Sequence, residues 1–216
     1  MKNEILQTSL KQFLKYGIRE MSIQKLIAPL GISTKTVYKY FKNKEELLAE
    51  ALQLFYSQQY ELFEDRAANQ SAVILSFDIW YEGIELQYKV NKVFFQDLHY
   101  YYPALERKMD IINGKRFWKR FIQIIHTGIE EGVFRKDVNP EVVLEGIAVL
   151  YLAIVRKGQF KKFGVSPYEI LLNTIAPCVR GICTEKGVRQ LDKRIAAYDL
   201  SGKINVSKEK MATSQP

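Results

Sequence analysis

The chain has 216 residues, of which 47% are hydrophobic, 12% aromatic and 26% charged. That is enough for one or two domains with a buried core, and it excludes both a disulfide-stapled miniprotein and a disordered chain. The net charge of +8 is unevenly spread: residues 1–44 hold nine Lys or Arg against Glu4 and Glu20, while the remainder is close to neutral. A small basic segment gains by displacing counterions from a polyanion, or else forms a solvated face.

Apolar residues recur at helical spacing along almost the whole chain and no convincing alternating strand occurs, so the fold class is all-α. Ile5, Leu6, Leu10, Phe13 and Leu14 share one stripe of a first helix of about four turns, closed by Gly17. Ser22 can cap a short second helix that ends at Pro29 and Gly31. Ser33 then caps a third helix running through Thr34, Lys35, Thr36, Val37, Tyr38, Lys39, Tyr40 and Phe41, and the two short helices with their glycine turn make a helix-turn-helix. Asn43 caps a fourth helix, with Glu46 at the capping-box position, and the helix extends to about Asp65.

Farther along, periodicity predicts helices near 71–88, 91–101, 103–131, 140–157 and 167–184, with a shorter piece at 186–197. Two of these begin with a capping side chain before proline, at Asn139-Pro140 and Ser166-Pro167, and Ser166 with Glu169 has capping-box spacing. From Ser201 large apolar groups are few, which predicts a disordered tail over 201–216. The longest apolar run, Ile147 to Val155, is far short of the roughly 20 residues of a membrane span, and no apolar leader segment opens the chain. The expected compartment is the cytoplasm, and Cys178 and Cys183, five apart, read as core thiols.

Gly17, Ser22-Ile23, Leu30-Gly31-Ile32-Ser33, Thr36-Val37-Tyr38-Lys39-Tyr40-Phe41 and Asn43-Lys44-Glu45-Glu46-Leu47-Leu48 together resemble the N-terminal domain of the tetracycline-repressor (TetR) family of bacterial transcription regulators. The resemblance covers roughly residues 5–50. It implies a three-helix DNA-binding domain over 1–48, with the fourth helix as connector to about 65, followed over 49–200 by a helical-bundle domain for ligand binding and dimerisation. Two positions depart from the family pattern: Ile27 stands where a small residue is usual, and Pro29 occupies the last turn of the second helix.

In a helix-turn-helix the start of the second helix reaches base edges in the major groove. Here that surface is Thr34, Lys35 and Thr36, with Lys35 able to donate to guanine O6 and N7. Tyr38, Lys39 and Tyr40 suit phosphates, and the caps Ser22 and Ser33 are further candidate DNA contacts. The resemblance supports phosphate contacts for Tyr38 and for Lys44, which lies where the free amides of the fourth helix also favour an anion. A palindromic duplex operator is the expected partner.

Helices 140–157 and 167–184 are apolar around most of their circumference and must be covered on more than one side. The resemblance implies that they meet a second copy in a homodimer, and that an unknown small-molecule effector bound in the C-terminal domain releases DNA. Candidate effector contacts come from the aromatic middle: Trp80, Tyr81, Tyr88, Phe95, His99, Trp118 and His126, all of which also suit an ordinary core. Asp78, Glu82 and Glu85 share one helical face that is either solvated or attractive to a cation. No nucleotide, metal or nucleophile-elbow motif is present, no cofactor is implied, and two unlinked histidines leave little for acid-base chemistry. A ligand-independent DNA-binding adaptor and a small helical enzyme remain as alternatives.

Overall fold

The computed structural model describes residues 1–90, 92–155 and 159–212, and their side chains apart from those at 62, 159, 161 and 199–212. Eleven α-helices occur among them. In chain order they are α1 (Lys2–Tyr16), α2 (Ile23–Ile27), α3 (Thr34–Val37), α4 (Lys44–Ala67), α5 (Ala72–Lys89) and α6 (Lys92–Tyr101), then α7 (Pro103–Glu130), α8 (Pro140–Val155), α9 (Pro167–Asn173), α10 (Ile175–Gly181) and α11 (Glu185–Ala212). No strand forms among the described residues; one isolated antiparallel bridge joins Phe134 to Cys183. The all-α class follows directly.

Several helix starts are decided locally. Ser22, Ser33 and Asn43 each accept a bond from the backbone N–H three residues on, at Lys25, Thr36 and Glu46, so each satisfies one of the amides that a helix start leaves open. Ser166 and Glu169 form the full reciprocal box. Glu46 differs in one detail: its carboxylate reaches past the cap to the Lys42 N–H rather than to Asn43.

The chain divides into two compact units, Met1–Ala68 with Glu85–Arg120 and Asn69–Ile84 with the chain from Phe121 onward. The first is built around Ile5, Phe13, Ile18, Leu26, Ile27, Val37, Phe41, Leu48 and Leu52, joined by Phe94 and Leu98 of α6. Ile27 is accommodated in this core, and α2 tightens after it into a 3-10 turn, Ala28–Leu30, that takes Pro29 without requiring its missing N–H. Gly31 follows in the left-handed region at φ 63°, where a side chain would be strained.

The second unit holds two sets of packed aromatic rings. Trp80 stacks on Phe121 at 4.5 Å between ring centres and lies 5.3 Å from Tyr151, while Tyr81, Tyr168 and Tyr198 pack together with Phe77. Asp78, fully buried, is bound by Arg194.

Three boundaries differ from the periodicity. The stretch 167–184 is two helices rather than one, broken at Thr174. Pro177 is the cause: it has no N–H for the Asn173 carbonyl and its ring would collide with that oxygen. The third helix is a short α-helix that passes after Val37 into turns, still bonded from Tyr38 N–H to Thr34 C=O and from Phe41 N–H to Val37 C=O. Finally, the backbone of α11 stays helical through Ala212, where a tail was expected from Ser201. Helix formers such as Lys208, Glu209, Lys210, Met211 and Ala212 support a helix without a large apolar face. Residues 213–216 of the expected tail, and Arg156 and Lys157 of the helix expected to end at 157, lie outside the described residues.

Candidate nucleic-acid interface

The surface built around α3 follows from one alternation. Val37 and Phe41 are buried in the first unit and anchor the element, which turns Thr34, Lys35, Lys39, Tyr38 and Tyr40 outward. Tyr38 and Tyr40 are 56% and 40% exposed, large values for residues that fold alone would bury. Thr36 is half-buried, its hydroxyl 3.1 Å from the Ser33 hydroxyl, so the cap fixes its orientation. Ser22 and Ser33 are exposed but engaged as caps.

Lys44 occupies a different environment from the other cations. Its ammonium donates to the carbonyl oxygens of Ile18 at 2.5 Å and Arg19 at 3.3 Å. Burial lowers its basicity below the ordinary lysine range, and the negative charges of Asp97 and Glu20 oppose that fall. Two of its three N–H bonds are thus committed inside the protein. Lys2 makes an ion pair with Glu50 on α4, whereas Lys35 and Lys39 project into solvent.

The same two-residue loop that Lys44 holds by its carbonyls is held by its amides from α6. Asp97, 7% exposed, accepts the N–H of Ile18 and of Arg19 at 2.7 Å each. Arg19 in turn donates to the Tyr101 hydroxyl at 2.7 Å and lies over that ring. Gly17, at φ 86°, begins the loop; a Cβ there would stand 2.7 Å from Val93 Cγ1 and 3.0 Å from Asp97 Oδ2. Sequence reasoning missed Asp97 and Tyr101, because nothing within their own helix reveals a partner 79 or 82 residues away.

The candidate effector residues do not assemble into one group. Trp80 and Tyr81 belong to the aromatic packing of the second unit, Trp80 being almost fully buried. Tyr88, whose phenol burial pushes above its ordinary range, belongs to the first unit with Phe95, His99 and Trp118. Phe95 packs edge-on to Phe94, and His99 is exposed with Nδ1 2.9 Å from Glu106 Oε2. Trp118 and His126 are exposed. Asp78, expected on an acidic face, is instead an internal ion-pair partner, and Glu85 pairs with Lys89. Among the described residues no group of three His, Cys, Asp or Glu could hold a metal ion, and no helix is long and apolar enough to cross a membrane.

Residues 5–51, which carry the caps, the turn glycine and the exposed α3 surface, match the family model described as bacterial regulatory proteins, tetR family. This N-terminal segment is of the TetR type. The HTH-type transcriptional repressor KstR2 of Mycobacterium tuberculosis is 27% identical over 151 residues, covering 66% of this chain and 73% of that protein. Its counterpart from Mycolicibacterium smegmatis is 24% identical over 148 residues, covering 66% and 71%. Among solved structures, a TetR transcription regulator from Haloarcula marismortui aligns with a TM-score of 0.66 at 19% identity, covering 85% of this chain and 98% of that one. The chain therefore shares its fold with a known transcription regulator, and the relatives it matches are transcriptional repressors rather than enzymes.

Proposed function

We propose that this protein is a TetR-family repressor that binds a palindromic DNA operator as a homodimer and is released by a small-molecule effector. The observation that carries the reading is the outward-facing start of α3: Thr34 and Lys35 stand exposed behind a Ser33 cap, on an element anchored from behind by buried Val37 and Phe41. Lys35 reads guanine, the Thr34 and Thr36 side chains meet thymine methyls or phosphate oxygens, and Ser22, Ser33, Tyr38, Lys39 and Tyr40 position the duplex through phosphates. Lys44, for which the family resemblance implies a phosphate contact beside the open amides of α4, acts instead through the Ile18 and Arg19 carbonyls that it holds. Residues 1–48 act as the reading head, α4 connects it to about 65, and 49–200 bind effector and partner. The compartment is the cytoplasm, where the operator is.

Dimerisation is supported by α8, whose buried face is Leu144, Ile147 and Ile154 while Val142, Val149 and Leu152 lie open on the other side. An apolar stripe of that kind, beside α9 and α10, suits a two-fold partner. Two recognition helices then meet successive major grooves about 34 to 36 Å apart. For the effector, Trp80 and Tyr81 with their aromatic neighbours are the preferred contacts, because each already sits in an aromatic cluster of the second unit. Selection of duplexes from a random pool tests the reading. Enrichment of a two-fold-symmetric sequence, bound with salt-sensitive affinity, is expected; a pool that stays random would sink it.

A further inference from the structure

Ile18 and Arg19 are gripped from both sides. Their two N–H groups point to one carboxylate oxygen of Asp97 on α6, and their two carbonyl oxygens receive the ammonium of Lys44 on α4. A carboxylate almost removed from water needs such charge-assisted bonds, because an unpaired buried charge is strongly unfavourable. Asp97 and Lys44 are thus opposite charges joined through a pair of peptide groups. The loop they hold leads within three residues to Ser22, the cap at which α2 starts, and Lys44 itself opens α4. Tyr101 adds a third hold through Arg19, and the loop begins at Gly17, where any Cβ would collide with Val93 and press on Asp97 of α6.

We infer that Asp97 is a positioning residue for DNA binding, which acts through the backbone of Ile18 and Arg19 and with Lys44 as its counter-charge to set where the helix-turn-helix begins. The inference rests on the DNA-binding reading above. Lys44 accordingly affects operator affinity from within the protein rather than by neutralising a phosphate. The two roles differ in salt dependence, since each phosphate neutralised adds nearly one unit to the slope of log affinity against log salt.

The test uses the full chain with Asp97→Asn, Lys44→Met and the double variant, measured against the selected duplex from low to high salt. Asp97→Asn is expected to weaken binding at least fivefold and Lys44→Met likewise, both with the wild-type salt slope. The double variant should be no more than about twofold weaker than the worse single one, because the two residues hold the same loop. Amide exchange in the free protein supplies a DNA-independent readout: Asp97→Asn should speed exchange at Ile18, Arg19 and α2 while amides of α8 and α10 keep their protection. Wild-type affinity in Asp97→Asn, or a Lys44→Met slope smaller by about one unit with losses that multiply, would overturn the inference. If Asp97→Asn does not fold, the Lys44→Met slope decides alone. If the wild type itself binds no duplex, the DNA reading fails, and unchanged exchange at Ile18 and Arg19 in Asp97→Asn would separately remove the clamp.

Discussion

The Arg194 guanidinium of α11 holds the fully buried carboxylate of Asp78 on α5 with two bonds, Nε to Oδ1 at 2.9 Å and Nη2 to Oδ2 at 2.7 Å. Gln70 reaches the same carboxylate at 3.4 Å, and Arg194 lies over the Tyr198 ring. Removing one partner of a buried pair strands the other charge, which costs about 3 to 5 kcal/mol, whereas replacing both by apolar groups of similar volume is often close to neutral. Arg194→Met is therefore expected to lower stability by that amount in denaturant unfolding, and Asp78→Leu with Arg194→Met should recover most of the loss. Equal stability of the single and double variants would show that the pair contributes through something other than its charge.

For the reading head, Lys35 and Lys39 separate two kinds of contact. Both project into solvent from the same short element, but only Lys35 lies in the first turn of α3. Lys35→Ala should lose about 1 to 3 kcal/mol on the selected operator and relax preference at one base pair. Lys39→Ala should weaken operator and random duplex alike and reduce the salt slope by about one unit. Titrations on both duplexes at several salt concentrations check this; matching losses on operator and random DNA for Lys35→Ala would remove it from base reading.

Local chemistry made much of this molecule readable from its residues. Ser22, Ser33, Asn43 and Ser166 begin helices because a short polar side chain can satisfy an amide three residues away, a relation visible in sequence. The glycine turn, the burial of Val37 and Phe41 and the exposed stripe of α8 follow from periodicity and backbone preference in the same way. Pro177 was legible too, yet the strong apolar period around it masked the break at Thr174. What local pattern could not supply was long-range pairing. Asp97 with the 18–19 loop, Tyr101 with Arg19 and Asp78 with Arg194 each join residues 78 or more apart, so Asp78 read as one acid on a face. The aromatic residues between Trp80 and His126 share a composition but not a location, and only folding sorts them into buried, packed and exposed groups.

The capping box at α9 carries a pH signature. Glu169 accepts bonds from the Ser166 N–H and hydroxyl, and these hold its carboxyl below the ordinary carboxylate range. A depressed folded-state value means stability that is present above the unfolded value and is lost as pH falls through the folded one. The stability difference between wild type and Glu169→Gln should therefore be visible at neutral pH and shrink on acidification below about pH 4. Ser166→Ala, which removes the cap itself, should cost about 1 kcal/mol. A difference between wild type and Glu169→Gln that stays constant from pH 7 to pH 3 would count against the box as its source.

The two thiols should differ sharply in reactivity. Cys183 is buried, its Sγ–H donates to the Val179 carbonyl at 3.1 Å, and burial pushes its pKa up to about 11. Arg180 works against that rise but is outweighed by the loss of water. Because the thiolate is the nucleophile, at pH 8 only about one Cys183 in a thousand is in the reactive form, and the site is closed as well. Cys178, three residues before the α10 terminus and half-buried, is open enough to be attacked. Iodoacetamide at pH 8 is expected to add one label per folded chain, on Cys178, and two after denaturation, with peptide mass spectrometry locating each. The raised value also means that the thiol's contribution to stability is whole below the ordinary thiol pKa and is lost as pH climbs toward 11. Cys183→Ala should therefore flatten the alkaline limb of the stability profile while lowering stability at pH 7 by creating a small cavity. Labelling of Cys183 in the folded chain at a rate similar to Cys178 would show that the segment after α10, bridged to Phe134, opens far more readily than its buried contacts imply.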